Sequence, residues 1–313
     1  MKVRRAYCWL AGVAFSLVGP GVSVTSAYST AEDTVKEYRL WYRNYDSPQI
    51  RALVALAFDK TPEYGPYQIT RTPEMAQGRV IRELEQQRST LVDLANVATT
   101  GERERDLRAI PIPIDGGLLG LRVCVVLKES LPKFEGIRSL DDLQEAGIRI
   151  GQGAHWPDSS ILQVNGVTVV THSRYEILFR MLENHRFECF ARGVSEVLFD
   201  LALENDADFV IEPNLLLAYP MPSYFFVSRN DHETAQRLQL GMERAIYDGS
   251  FGDYLNRYYG RAIDELGLDN RTVLVLDNPF LTGESWAIGR QTLRELRRRI
   301  KLLSTPDTDP VKP

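Results

Sequence analysis

The chain has 313 residues, 44% of them hydrophobic and 25% charged. Its formal net charge is −5. Outside residues 294–301 there is no long basic run, which excludes nucleic acid as an expected partner.

The N-terminus reads Met1-Lys2-Val3-Arg4-Arg5, then a mostly apolar, uncharged stretch from Ala6 to Gly19, then small residues at Thr25-Ser26-Ala27. This is the order of a cleaved secretory signal over residues 1–27. The apolar stretch is shorter than the ~20 residues a spanning helix needs, and Pro20-Gly21 close it. Cys8 follows Arg4-Arg5-Ala6-Tyr7 at the start of the apolar stretch, whereas a lipoprotein cysteine would come after it. Loss of Lys2, Arg4 and Arg5 takes the net charge from −5 to −8. No later segment is apolar enough to span a bilayer, so the expectation is a soluble exported protein.

Residues 37–43 (EYRLWYR) suggest a first strand. Ser47-Pro48 then opens a helix, with serine as cap and proline at the first turn, and Ile50, Leu53, Val54 and Ala57 on one apolar face. Residues 67–70 are strand-like. Thr72-Pro73 repeats the capping chemistry before a helix through Gln87, striped by Val80, Ile81 and Leu84. Residues 90–96 form a third strand, and residues 110–114 and 120–128 are extended. From residue 140 the elements are short and alternate: helix 140–145, strand 148–151, the turn Gly151-Gln152-Gly153, a helix, strand 167–170, a helix and strand 187–191. A helix (194–205), a strand (208–211), a proline- and tyrosine-rich return (219–224), a strand (225–228) and helices at 232–248 and 251–259 complete the pattern. Such alternation predicts a mainly parallel sheet covered by helices. Residues 291–302 form an exposed basic helix, and residues 304–313 a disordered tail.

Cys124 and Cys189 sit in apolar strand-like runs. An oxidising compartment permits a disulfide, but the apolar settings favour two buried thiols. Enzyme signatures are absent. The four histidines (His155, His172, His185, His232) lack metal-ligand spacing, His232-Glu233 has no second histidine, and there is no G-x-S-x-G elbow or P-loop. No metal or cofactor is expected.

Asp142-Leu143, Gly147 to Gly151, Gly153, and then Ser173, Glu176, Leu178, Leu182, Arg186 and Glu188 form a pattern of their own. It resembles the second lobe of the extracellular solute-binding proteins of family 3, the type II periplasmic binding proteins, in a divergent form. The resemblance covers residues 37–261. It implies an α/β, two-lobed periplasmic binding protein-like fold of type II, each lobe a mixed sheet flanked by helices. Residues 28–119 plus 219–290 would form lobe 1, residues 120–218 lobe 2, and residues 291–313 a C-terminal helix and tail. It further implies a monomer that captures a small solute between its lobes for a membrane permease, and that does not transform it. A periplasmic sensing partner of a membrane receptor, and an enzyme on the same fold using Glu196 or Glu212 as acid or base, are the alternatives.

The family's T-x-x-R, whose arginine holds a ligand carboxylate, is matched by Thr100 and Arg103. Threonine caps a helix there, and arginine can grip a carboxylate with two parallel bonds. A solvated charge cluster, Arg103 to Asp106, is the other reading. His155 and Trp156 stand where the family's glycine turn meets its ligand, although Trp156 also suits a hydrophobic staple. Where amino-acid binders carry an aspartate for the ligand ammonium, this chain has Gly193 beside Arg192. Arg103 and Arg192 together would suit an anionic or oxygen-rich solute; alternatively Arg192 pairs with Glu196, one helical turn away.

Export has a direct check. Mature protein should begin near Tyr28 and appear in the osmotic-shock fraction, and N-terminal sequencing that finds Met1 retained in a membrane fraction would contradict it.

Overall fold

The computed structural model describes residues 35–86 and 91–303. The expected signal segment and the tail at 304–313 lie outside the described residues.

The first lobe begins with β1 (Lys36–Leu40), α1 (Tyr42–Asp46), α2 (Pro48–Asp59), β2 (Tyr67–Arg71), α3 (Gln77–Glu85), β3 (Leu94–Ala98), α4 (Gly101–Asp106) and β4 (Arg108–Ile110). Strand β1 ends three residues earlier than its apolar run suggests. Trp41 is buried and its indole donates to Met75 O at 3.0 Å, and the chain turns into α1 there. Ser47 caps α2 as its sequence requires, accepting from Ile50 N, and Leu53, Val54, Ala57 and Phe58 are buried. Thr72 does not cap a helix. Its hydroxyl accepts from Tyr42 N at 3.0 Å, so it braces α1, and α3 starts later, at Gln77.

The second lobe comprises β5 (Leu121–Leu127), α5 (Leu140–Glu145), β6 (Ile150–Gly153), α6 (Pro157–Val164), β7 (Val169–His172), α7 (Glu176–Glu183), β8 (Cys189–Gly193), α8 (Val197–Glu204), β9 (Phe209–Ile211) and β10 (Leu215–Ala218). Ser139 and Asp142 form a reciprocal capping box that starts α5. The chain then returns through β11 (Ser223–Val227), α9 (His232–Tyr247) and α10 (Ser250–Glu265), and ends with β12 (Thr272–Val275) and α11 (Gly283–Leu303).

Two separate sheets result. The five-stranded sheet has the order β2-β1-β3-β11-β4, and the seven-stranded sheet β12-β10-β5-β8-β6-β7 with β9 paired to β5. β1, β2 and β3 are parallel, and β11 runs antiparallel to β3 and β4. In the second sheet β6 lies parallel to β7 and β8, while β5 runs antiparallel to β8, β9 and β10. Strand β12 departs from the expected division: residues 219–290 were assigned to lobe 1, but β12 pairs in parallel with β10 in the second sheet. Its apolar residues Val273 and Leu274 extend that sheet by one strand, so a third passage between lobes follows α10.

The first two passages, residues 111–120 and 219–222, run side by side. Tyr219 N donates to Gly120 O at 3.0 Å and Thr99 N to Pro222 O at 3.0 Å. Among the described residues no helix is long and apolar enough to cross a membrane.

Cys124 and Cys189 are joined in a disulfide, which corrects the expectation of two buried thiols. The antiparallel register of β5 and β8 sets Cys124 opposite Ala191. Cys189, two residues away, therefore projects from the same face as a diagonal neighbour. Only the pairing register brings the two sulfurs together. The bond joins residues 65 apart, and closing a loop of that length restricts the unfolded chain by about 4 kcal/mol. Reduced protein, or the double variant Cys124→Ala/Cys189→Ala, should melt at a clearly lower temperature; identical melting with and without reductant would show the bond contributes nothing.

Candidate functional site

A cavity of about 330 Å³ lies between the lobes. Much of its wall comes from the carboxyl ends of β3 and β8 and from residues just past the ends of β1, β6, β7 and β8. Free N–H groups and helix N-termini gather at that edge of a parallel sheet. The wall carries seven carboxyl side chains (Asp46, Asp115, Asp158, Glu176, Glu196, Asp200, Glu204) against three arginines (Arg43, Arg122, Arg192).

Two of the arginines are deeply buried and paired. Arg192 contacts Asp200 at 2.7 Å and Glu196 at 3.0 Å. Its guanidinium also stands over the rings of Trp156 at 4.9 Å and of Tyr175 and Phe190 at 5.2 Å. Burial alone would lower the Arg192 pKa, but Asp200 and Glu196 outweigh it and hold the group firmly charged. Arg122 contacts Asp158 at 2.8 Å and lies 3.5 Å from Glu196, and Tyr219 donates to Asp158 at 2.6 Å. Gly193 makes room for this arrangement: a Cβ there would come within 2.7 Å of Arg122 Nη1. A side chain at this position would therefore press on the Arg122 guanidinium and require it to shift.

Glu196 sits between the two guanidiniums with its side chain 39% exposed toward the cavity. Burial would raise its pKa; Arg192 and Arg122 outweigh that and keep it below the ordinary carboxylate range. A carboxylate so held is a poor proton donor near neutral pH. Glu212 is committed elsewhere, accepting from Asn214 N and Leu215 N at 2.9 and 2.6 Å in a buried turn. Among the described residues no group of three or more His, Cys, Asp or Glu is placed to hold a metal ion.

The other expected site residues are dispersed. Thr100 caps α4, accepting from Arg103 N at 3.2 Å. Arg103 is not on the cavity wall. Its guanidinium donates to Ala98 O, to Gln77 Oε1 at 3.0 Å and to His155 O, in the other lobe, at 2.8 Å. Burial, with no carboxylate in contact, pushes its pKa down to about 10. The structure thus does not bring Arg103 and Arg192 to one wall. His155 lines a neighbouring cavity of about 310 Å³, and Trp156 lines both cavities.

Sequence reasoning missed the residues between those cavities. Tyr42 Oη donates to Glu176 at 2.9 Å, and the Arg43 guanidinium lies 3.5 Å over the Tyr175 ring. Both contacts run from α1 to the second lobe, and all four residues line both cavities. Reading residues 37–43 as strand concealed that Tyr42 and Arg43 begin a helix at the strand's carboxyl end. Arg122 had a signal: a lone arginine inside the apolar run Leu121–Leu127 marks a buried charge that needs partners.

No family model matches the sequence, and neither does any curated protein. Solved structures do match. A Salmonella typhimurium periplasmic binding protein of high arginine specificity superposes with a TM-score of 0.52 at 14% identity, over 72% of this chain and 100% of that one. A periplasmic His/Glu/Gln/Arg/opine family-binding protein from Silicibacter pomeroyi, in complex with lysine, gives 0.52 at 11% identity, over 71% and 97%. The GluR0 ligand-binding core from Nostoc punctiforme, in complex with L-glutamate, gives 0.51 at 16%, over 72% and 99%.

The fold is that of the two-lobed periplasmic binding proteins.

In this periplasmic binding protein fold three side-chain contacts join the lobes. Arg103 to His155, Tyr42 to Glu176 and Arg43 on Tyr175 all tie one lobe to the other. A stacked cation and one hydrogen bond together contribute about 2 kcal/mol to closure. Arg43→Ala combined with Tyr42→Phe should therefore shift the closed-to-open ratio by roughly thirty-fold, seen as a larger radius of gyration in small-angle scattering of solute-free protein. Scattering identical to the parent would show that these contacts do not hold the lobes.

Proposed function

We propose that the protein is an exported solute-binding protein that closes its lobes over a small amine-bearing solute of amino-acid type and delivers it to a membrane permease. The observation that carries this reading is the acidic excess on the wall of the interlobe cavity. Arg122 is matched by Asp158 and Arg192 by Asp200, which leaves Glu196 with a face toward the cavity. An ammonium or guanidinium group placed against Glu196 gains a charge-assisted bond. The anionic solute suggested by the arginines in the sequence is replaced, because those arginines are already neutralised or turned away. The similar structures include proteins described with bound lysine and with high arginine specificity, which agrees with a cationic amino acid.

The test is a thermal-shift and calorimetric panel of arginine, lysine, ornithine, glutamine, glutamate, succinate and citrate. Arginine or lysine should raise the melting temperature and the dicarboxylates should not. Stabilisation by succinate or citrate with none by the amines would refute the proposal. Glu196→Gln keeps the shape but loses the charge, and should weaken amine binding by roughly ten- to hundred-fold. The pH dependence follows from the lowered Glu196 pKa: its contribution is complete above the ordinary value of 4.5 and is lost only as pH falls through the lowered value. Amine binding should therefore persist to mildly acidic pH.

A further inference from the structure

Helix α11 carries a face that the cleft does not use. Its inner side is seated on the two adjacent passages between lobes: Thr292 packs against Gly117, and Gly289 lies against Pro220 and Pro222. Leu293 and Leu296 are buried beneath it. Along the outer side, Trp286, Arg290, Arg294 and Arg297 follow at spacings of four, four and three, which is one stripe of a helix, with Arg298 at its edge. All five are exposed, Trp286 by 46%. The Arg290 guanidinium lies 4.8 Å over the Trp286 ring. Among the described residues none of the four arginines forms an ion pair. The helix has two acids, Glu284 and Glu295, and neither lies on the stripe.

We propose that this face of α11 docks on an anionic phospholipid surface. A row of unpaired guanidiniums on one helix is a flat cationic strip, and the guanidinium fork fits phosphate oxygens two at a time. An indole at the border of the strip belongs at headgroup depth, where apolar and polar surroundings meet. The net charge of −8 expected for the mature chain opposes approach only weakly, because at physiological salt that field is screened beyond about 8–10 Å while the strip is in contact. Since α11 rests on both passages, a membrane that holds it lies next to the hinge of the two lobes.

The test is co-sedimentation of the mature protein with vesicles of phosphatidylglycerol and phosphatidylcholine, against phosphatidylcholine alone, at low and high salt. The protein should pellet with the anionic vesicles at low salt, be released at high salt, and ignore the neutral ones. Each arginine removed should lower partitioning about five-fold, so Arg294→Gln/Arg297→Gln should lose about twenty-five-fold. Arg138→Gln/Arg180→Gln, the same charge change at exposed positions of the second lobe, should bind like the parent. Circular-dichroism melting shows that each variant is folded. Trp286→Ala gives a second, charge-neutral variant and should also weaken pelleting. The proposal is overturned if the parent ignores anionic vesicles at low salt, if Arg294→Gln/Arg297→Gln pellets like the parent, or if the strip captures an acidic protein while vesicles go unbound.

Discussion

The cleft depends on how two buried arginines are neutralised. Arg122 and Arg192 stand on neighbouring antiparallel strands, opposite Gly193 and Val123. In that register they leave the sheet on opposite faces. They meet again beyond its end, where Glu196 lies 3.5 Å from one and 3.0 Å from the other. Asp158 and Asp200 complete the pairing. Removing one partner from such a group costs about 3–5 kcal/mol, because the remaining charge stays buried. That cost holds the start of α6, the end of β8 and the start of α8 in one arrangement around the cavity.

The disulfide acts on the same pair of strands. Cys124 lies two residues from Arg122 on β5, and Cys189 three residues from Arg192 on β8. A covalent tie between these strands makes a slip of register costly, and a slip of one residue would send both arginines to the wrong faces. Export to an oxidising compartment would thus serve the binding site directly, by fixing the register that presents its charges.

Closure has two sources. A solute bridging both walls would contribute one, as ligands do when they bind one state better than another. The other is intrinsic: Arg103 reaches His155 O, Tyr42 reaches Glu176, and Arg43 lies on Tyr175. Contacts of this kind raise the closed population of the empty protein. They also divide the cleft into two chambers of about 330 and 310 Å³, so the size of solute accepted depends on whether α1 stays in place.

Much of the architecture was legible in the amino-acid order, because local chemistry decides it. Ser47-Pro48 starts a helix where its cap says, the short helix expected at 140–145 forms, and the apolar stripe of α2 is buried as its spacing requires. The short alternating elements marked the second lobe, although Gly151-Gln152-Gly153, expected as a turn, lies within β6 and pairs with β7. The site was far less legible. Arg192 could be named from its place after a strand, but whether it was free or paired depended on Asp200, eight residues away, and on the turn that begins α8. Arg103 looked like a ligand clamp because its helix-capping neighbour Thr100 is real; only the packing of the lobes sends its guanidinium to His155 O, 52 residues away. The return of β12 to the second sheet and the joining of Cys124 to Cys189 were decided in the same way, by which strands lie side by side. Caps, stripes and turns involve residues within a helical turn of one another, so the sequence by itself determined them. Register, charge pairing and the walls of the cleft join residues that are neighbours only after the chain has folded, and the tertiary structure alone decided those.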